Sequence, residues 1–211
     1  MDSNRETSMV ARSPIRARGP VGREHGWEVS TTARKGGLEL CDLTPYSKVL
    51  VRAGVLSKAA EVLGCALGLA RRAPDGTLVA GTGPGEWLLV SGAGTWPALA
   101  DEIGGGDPTA LTTVVDVTHG GFLIRLSGAD SRRVLEKICA IDLSDGVTPD
   151  GAVFRSSVAR IVCDVIRDDD GGVRSYLLHG DRSAGQYLFD AVLDAGSEFS
   201  IGISGYREKE A

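Results

Sequence analysis

Apolar positions recur along this chain with two different periods, and the periods predict its elements. Lys48-Val49-Leu50-Val51-Arg52 reads as a strand, and Gly54 then opens a segment in which Leu56, Ala60 and Leu63 recur at helical spacing until Gly64 stops it. Further on, Phe122, Ile124 and Leu126 alternate with Leu123 and Arg125, Gly128 follows, and Val134, Leu135 and Ile138 mark one face of a second helix. Asp75-Gly76 and Asp170-Gly171-Gly172 are turn signals between extended runs. Return strands are expected at Glu86-Trp87-Leu88-Leu89-Val90 and Ser175-Tyr176-Leu177-Leu178-His179. Each is followed by a closing helix ended by glycine. One runs from Trp96 to Ile103 behind a Thr95 cap with Pro97 in its first turn, the other from Ala184 to Leu193 behind a Ser183 cap.

The two series repeat one another. Moved along by 74 positions without a gap, Asp42 falls on Asp116, Thr44 on Thr118, Gly54 on Gly128, Ser57 on Ser131, Cys65 on Cys139, Ala66 on Ala140 and Leu69 on Leu143. Beyond that the offset becomes 89, as if the second copy carried an insertion near Ser144 to Val158, and Ala70-Arg71 meets Ala159-Arg160 while Leu88-Leu89 meets Leu177-Leu178. A similarity of this period suits two fused half-units better than a solenoid. The common unit is β-α-β-β-α, the element order of split βαβ, ferredoxin-like folds. The fold class expected is therefore α+β, with pseudo-repeated halves at about 38–110 and 111–200 inside a single globular domain of residues 38–205, followed by a tail at 206–211. The insertion, with Pro149 and Gly151, belongs to one half alone and is the first place to expect partner contacts.

Residues 1–37 follow a different pattern. Arg12, Arg16, Arg18, Arg23 and Arg34 are broken by Pro14, Pro20 and several glycines, with almost no apolar periodicity. Such a stretch buries too little surface to offset its ordering entropy. It is expected to be a flexible basic leader, or an arm that orders against an acidic partner.

Composition narrows the function classes. With 42% hydrophobic and 24% charged residues among 211, the chain has the balance of a soluble globular protein. Its net charge of -5 offers no basic field for nucleic acid or anionic lipid. No apolar run approaches the ~18 residues that span a bilayer. MDSNRETSMVARSP lacks the apolar region of a secretory signal, so a cytoplasmic location is expected. Cys41, Cys65, Cys139 and Cys163 form no CxxC pair and have no histidine at ligand spacing, which argues against zinc and redox motifs and for small buried hydrophobes.

The search for chemistry yields little. Gly81-Thr82-Gly83-Pro84-Gly85 opens a strand rather than a helix, has Glu86 at the sixth position of GxGxxG and lacks a following GK[ST], so it reads as a hairpin turn. His25, His119 and His179 have no second histidine or carboxylate at helical ligand spacing. Asp116-Val117-Thr118-His119-Gly120-Gly121 brings an acid, a hydroxyl and an imidazole to a strand entry. Because Asp42 and Thr44 recur there while His119 is replaced by Pro45, turning the backbone is the favoured role for Asp116 and Thr118. Asp168-Asp169-Asp170 reads as a solvated hairpin tip with too few oxygen ligands for calcium. Trp87 and Tyr176, which could form an aromatic slot, read as core. No catalytic, cofactor-binding or metal-binding residue is assigned.

The stretch VVDVTHGGFLIRLSGADSRRVLEKICAIDL, then PDGAV, SYLLH and GQYLFDAVLDAG, resembles the aminomethyltransferase-related family, which includes the T-protein of glycine cleavage. With Arg12-Ser13-Pro14, Gly83-Pro84-Gly85-Glu86-Trp87-Leu88-Leu89 and Ile141-Asp142-Leu143, it is most similar there to the gamma subunits of heterotetrameric sarcosine oxidases. Ala140 departs from the proline of that pattern, and Ile138-Cys139 from its lysine-glycine-cysteine. The resemblance implies an aminomethyltransferase-N-terminal-like domain. It also implies a small subunit of a complex that oxidatively demethylates sarcosine to glycine, with hydrogen peroxide as product and tetrahydrofolate accepting the one-carbon unit. FAD, FMN, NAD and tetrahydrofolate would then lie on partner subunits, alpha and beta with delta, and none on this chain. A stand-alone folate-binding or aminomethyl-transferring protein is the alternative; nucleic-acid binding by the leader is a third reading.

Overall fold

The computed structural model describes residues 10–33, 37–104 and 111–207. In chain order its elements are β1 (Ala11–Arg12), β2 (Val21–Glu24), β3 (Trp27–Ser30), β4 (Glu39–Asp42), β5 (Tyr46–Arg52), α1 (Lys58–Leu63), β6 (Ala70–Arg72), β7 (Leu78–Gly83), β8 (Glu86–Ala93) and α2 (Ala98–Gly104). They continue with β9 (Thr113–Asp116), β10 (Gly121–Ser127), α3 (Ser131–Glu136), β11 (Val153–Val158), β12 (Ile161–Arg167), β13 (Ser175–Asp181), α4 (Gly185–Ala195) and β14 (Gly202–Ser204). Residues 1–9, the glycines at 105 and 106 expected to end the first closing helix, and tail residues 208–211 lie outside the described residues.

The fold is mixed α+β and rich in sheet. Five strands run in the order β6-β7-β8-β5-β9 and six in the order β11-β12-β13-β10-β4-β14. The two sheets face one another across a layer that includes Cys41, Leu78, Leu88, Leu123, Ile166 and Leu177. On the outer face of the five-stranded sheet, Ala59 and Leu63 of α1 and Ala100 and Ile103 of α2 pack on Val49, Val51, Trp87 and Leu89. The six-stranded sheet is covered likewise, with Val134, Leu135, Leu188, Phe189 and Val192 of α3 and α4 on Ile124, Leu126, Tyr176 and Leu178. The result is a helix, sheet, sheet, helix sandwich whose strands alternate between an inner and an outer apolar layer. Each fully buried leucine of these layers is worth about 2 kcal/mol in transfer free energy. No helix among the described residues is long and apolar enough to cross a membrane.

The sheets exchange strands. β4 lies in the six-stranded sheet against β10, and the chain then crosses into the five-stranded sheet as β5. β9 does the converse, pairing with β5 before the chain crosses back as β10. At the opposite margin the sheets meet again, through Ala70 N donating to Gly151 O at 2.7 Å and Val153 N to Gly68 O at 2.8 Å.

Three expectations are corrected in detail. After each first helix come three strands, so the order is β-α-β-β-β-α rather than β-α-β-β-α. The ungapped offset of 74 slips by one in β10, because Val49 faces α1 and α2 whereas Leu123 faces the other sheet; Ile124 is the residue that shares Val49's outward placement. The turn after Thr118 is one residue longer than that after Thr44, and a one-residue slip in a strand reverses every face. Ala70-Arg71 is strand, whereas Ala159 and Arg160 form the β11–β12 turn with φ of 47° and 69°, the type I′ pattern that matches strand twist. The added length is therefore not one block. Ala70 pairs with Ala80 and Val153 with Ile166, so part of it lies in the longer arms of the second hairpin.

Local signals hold elsewhere. Ser57 caps α1 by accepting from Ala60 N, and Gly64 ends it with φ of 53°. The glycine cluster does turn a hairpin: Gly85 has φ of +65°, and a Cβ there would lie 2.3 Å from Ala53 O. Asp181, which accepts from Ser183 N at 2.8 Å, caps the short 3-10 turn Arg182–Ala184 that leads into α4, and α4 itself has no side-chain cap, so Ser183 does not play the expected part.

The leader is the largest departure. Residues 11–30 form a three-stranded sheet in the order β1-β3-β2, with His25-Gly26 at its hairpin. Trp27 and Val29 point inward while Glu28 and Ser30 are half-exposed, and Ile15 joins the core beside α4. This strap is held along its length. Arg16 N donates to Gln186 Oε1, Arg18 pairs with Asp190 at 2.7 Å, and Gly205 N and Tyr206 N donate to Thr32 O and Ser30 O. Three apolar side chains and a supply of backbone partners outweigh the ordering entropy that the glycines and prolines suggested.

Candidate functional site

The polar groups worth testing lie where the chain crosses between sheets and where the sheets touch. Asp42 Oδ1 accepts from Thr44 N at 2.9 Å, and Asp116 Oδ1 accepts from Thr118 N at 2.8 Å. Both aspartates therefore turn the backbone at a crossover, as the repeated Asp-x-Thr suggests. The threonine hydroxyls close the crossovers: Lys48 N donates to Thr118 Oγ1 at 2.9 Å and Leu123 N to Thr44 Oγ1 at 3.3 Å. His119 is exposed and takes no part in this; its ring stacks on Trp27, centroids 4.7 Å apart and 9° from parallel, fastening the strap. Asp42 lies in a narrow cleft beneath the strap with Ile15, Val29, Phe189 and Tyr206. Burial pushes its carboxyl up, against hydrogen bonds from Ser13 and Thr44.

Lys48 is fully buried in this region. Its Nζ donates to Thr44 O at 2.6 Å and Tyr46 O at 2.8 Å. Burial pushes its pKa down to about 7, outweighing the upward pull of Asp42 and Asp116, with Arg182 adding to the depression. Its burial is not legible in the sequence, since Lys48 opens the apolar run Val49-Leu50-Val51, where a solvated residue is usual, whereas β5 begins at Tyr46.

A second chain of charges bridges the sheets. Arg52 Nε donates to Glu86 Oε2 at 2.9 Å, Arg155 donates to Glu86 Oε1 at 2.8 Å and to Asp164 Oδ1 at 2.7 Å, and His179 Nδ1 lies 3.1 Å from Asp164 Oδ2. Asp164 and His179 face one another on adjacent strands, in register about Gly171-Gly172. Counting outward from that turn would have found the pair; spacing rules for helices could not. A carboxylate-oriented imidazole is the frame of a general base. Here Nε2 is buried without a hydrogen bond and packs on Gly121, where a Cβ would lie 2.6 Å away, so the reactive nitrogen faces backbone.

Burial raises the Asp164 carboxyl, but hydrogen bonds and charge from His179 and Arg155 outweigh it and hold Asp164 below its usual range. Its stabilisation is thus present above the ordinary carboxylate pKa and is lost as pH falls through the lower folded value. Asp164→Asn is expected to cost about 2–3 kcal/mol at pH 7 and to flatten the loss of stability below about pH 4. Urea unfolding at pH 7, pH 5 and pH 3 reads both, and an unchanged acid slope would contradict the assignment.

The run Asp168-Asp169-Asp170 is not a solvated tip. Asp168 is buried, receives both oxygens' worth of hydrogen bonds from Arg72 at 2.7 Å, and pairs with Arg125 at 2.5 Å. Asp169 pairs with Arg167, whose guanidinium also meets Asp145. Since β6 carries Arg72 and β10 carries Arg125, this carboxylate ties the two sheets at one end.

The remaining candidates lie in the core. All four cysteines are free and buried, with burial pushing the Cys41 and Cys163 thiols up to about 12. Trp87, which donates from Nε1 to Cys65 O at 2.7 Å, lies under α1 and α2, and Tyr176 lies under α3 and α4. On opposite outer faces they form no slot, so these two residues do not fit a pterin ring. Among the described residues no group of three or more His, Cys, Asp or Glu could hold a metal ion.

Known proteins share this architecture. A chain of the heterotetrameric sarcosine oxidase from Corynebacterium sp. U-96, in complex with pyrrole 2-carboxylate, matches with a TM-score of 0.68 at 24% identity over 86% of this chain and 91% of that one. The glycine cleavage system aminomethyltransferase T from Bartonella henselae matches with a TM-score of 0.69 at 16% identity, over 93% of this chain and 60% of that one. At these identities the likeness is one of fold. Mitochondrial dimethylglycine dehydrogenase of Homo sapiens is 29% identical over 124 residues, 56% of this chain and 14% of that protein. The Mus musculus protein is 28% identical over 128 residues, again 14% of its length, so the chain spans a small part of the curated relatives it matches. The model of the sarcosine oxidase gamma subunit family matches residues 53–198, from the loop after β5 to the turn after α4 and hence through all four helices. The chain belongs to the sarcosine oxidase gamma subunit family.

Proposed function

We propose that the chain is a small structural subunit of a heterotetrameric, sarcosine-oxidase-like complex in the cytoplasm, and that its halves are a pseudo-repeat of ferredoxin-like units adapted to that role. The complex would demethylate sarcosine oxidatively to glycine, pass the one-carbon unit to tetrahydrofolate and release hydrogen peroxide. FAD, FMN, NAD and tetrahydrofolate would sit on larger alpha and beta subunits, with delta completing the assembly. Family membership over residues 53–198 carries this reading. The engagement of buried charges with one another, across sheets, supports a scaffold. The loop before β11, with Ile141 and Val147 exposed, is the first surface on which to look for partner contacts.

A stand-alone folate-binding or aminomethyl-transferring protein is the second reading, favoured by the likeness to aminomethyltransferase T. One experiment separates them. Expressed with its genomic neighbours, the tagged chain is expected to co-purify with a large yellow, flavin-containing subunit, and alone to leave tetrahydrofolate unbound at micromolar concentration. A well-behaved monomer that captures no flavoprotein and binds tetrahydrofolate would overturn the subunit role.

A further inference from the structure

Lys48 occupies a place that the scaffold fills elsewhere with an aliphatic residue. Its backbone N donates to Thr118 Oγ1 at one crossover, and Leu123 N donates to Thr44 Oγ1 at the other. The carbonyls match as well: Val117 N donates to Lys48 O and Leu43 N to Leu123 O, each at 2.8 Å. Leu123 is fully buried in the layer between the sheets, and so is Lys48. An ammonium there loses its hydration, which a leucine does not.

The charged groups facing Lys48 are few. Asp42 comes from β4, Asp116 from β9 and Arg182 from the turn before α4, while β8 brings Val90 opposite it. Asp42 also lines the cleft formed with Ile15, Arg16, Glu28 and Val29 of the strap, so the strap lies over the same crossover.

We propose that Lys48 is a proton-operated latch: as a neutral amine it lets the crossover close beneath the strap, and on taking a proton it favours an opened arrangement in which the ammonium reaches water. In the closed form both Nζ hydrogen bonds, to Thr44 O and Tyr46 O, are kept by the neutral amine. The depression of its pKa to about 7 gives the sign, because a base that binds its proton more weakly when closed must open more readily as pH falls. Opening therefore grows easier as pH falls from the ordinary lysine value of 10.5 and levels off below about 7, where the closed form takes the proton as well.

The full chain labelled with 13C-lysine provides the test. It has five lysines, Lys35, Lys48, Lys58, Lys137 and Lys209. One Cε signal, missing in Lys48→Met, is expected to titrate with a midpoint near 7. Protection of the Thr44 and Leu123 amides, corrected for intrinsic exchange, is expected to be about tenfold lower at pH 6 than at pH 8, and equal at the two in Lys48→Met. Should that variant not fold, Asp116→Asn serves, since Asp116 is exposed and an asparagine oxygen can still accept from Thr118 N. It is expected to move the Lys48 midpoint down by roughly half a pH unit or more. A Lys48 signal titrating at the ordinary lysine value of about 10.4, or equal protection at pH 6 and pH 8 in the wild type, would overturn the latch.

Discussion

Replacing Asp168 by asparagine is expected to be among the most destabilising isosteric changes in this chain, at about 3–5 kcal/mol. The carboxylate is the common partner of Arg72 and Arg125, and the Arg125 side chain is 13% exposed. Arg125 also donates to Asp168 O and Ser175 Oγ, so it cannot swing into solvent without breaking both. Without the negative charge, one largely buried guanidinium is left uncompensated and meets the amide's own N–H groups. For a domain of this size that loss corresponds to a fall in Tm of roughly 10 °C. Thermal unfolding followed by circular dichroism measures it, with Glu61→Gln as comparison, an exposed site expected to change by less than about 0.5 kcal/mol. If the two variants melt together, Asp168 is not the tie between the sheets.

Trp27→Ala is expected to cost as much by a different route, about 3–5 kcal/mol. Its indole is 4% exposed and fills the space between the strap and the turn carrying His119. Truncation leaves a cavity at the rim of the domain and removes the stack that fastens the strap to the body. Proteolysis distinguishes this from a uniform loss of stability. Cleavage is expected first within residues 11–33 in the variant, and a variant as resistant as the wild type would show that the strap is held by its backbone bonds alone.

Much of the fold was legible because local rules and global placement agree. The alternation in Lys48–Arg52 and Phe122–Leu126, the Gly64 stop and the Asp75-Gly76 turn each describe an element that is present. The strap was illegible for want of length: Trp27-Glu28-Val29-Ser30 does alternate behind a His25-Gly26 turn, but four residues carry a weak signal and the surrounding arginines suggest solvent. Asp168 was misread for a related reason. A run of three aspartates looks solvated until Arg72 and Arg125, which arrive from distant strands, are placed beside it. Lys48 and the Asp164–His179 pair depend on sheet register, which the residues do not state until the turns are assigned.

The crossing of β4 and β9 into each other's sheets has a consequence for how the molecule comes apart. Each sheet takes one strand from the sequence that chiefly builds the other, so the two are interlocked like clasped hands. Neither can lose its order while its companion keeps a complete set of hydrogen bonds. Melting is for that reason a single event for both layers. Folding must wait until segments roughly sixty to ninety residues apart have met, which places this chain among slow folders whose early collapsed states carry two open edges at once.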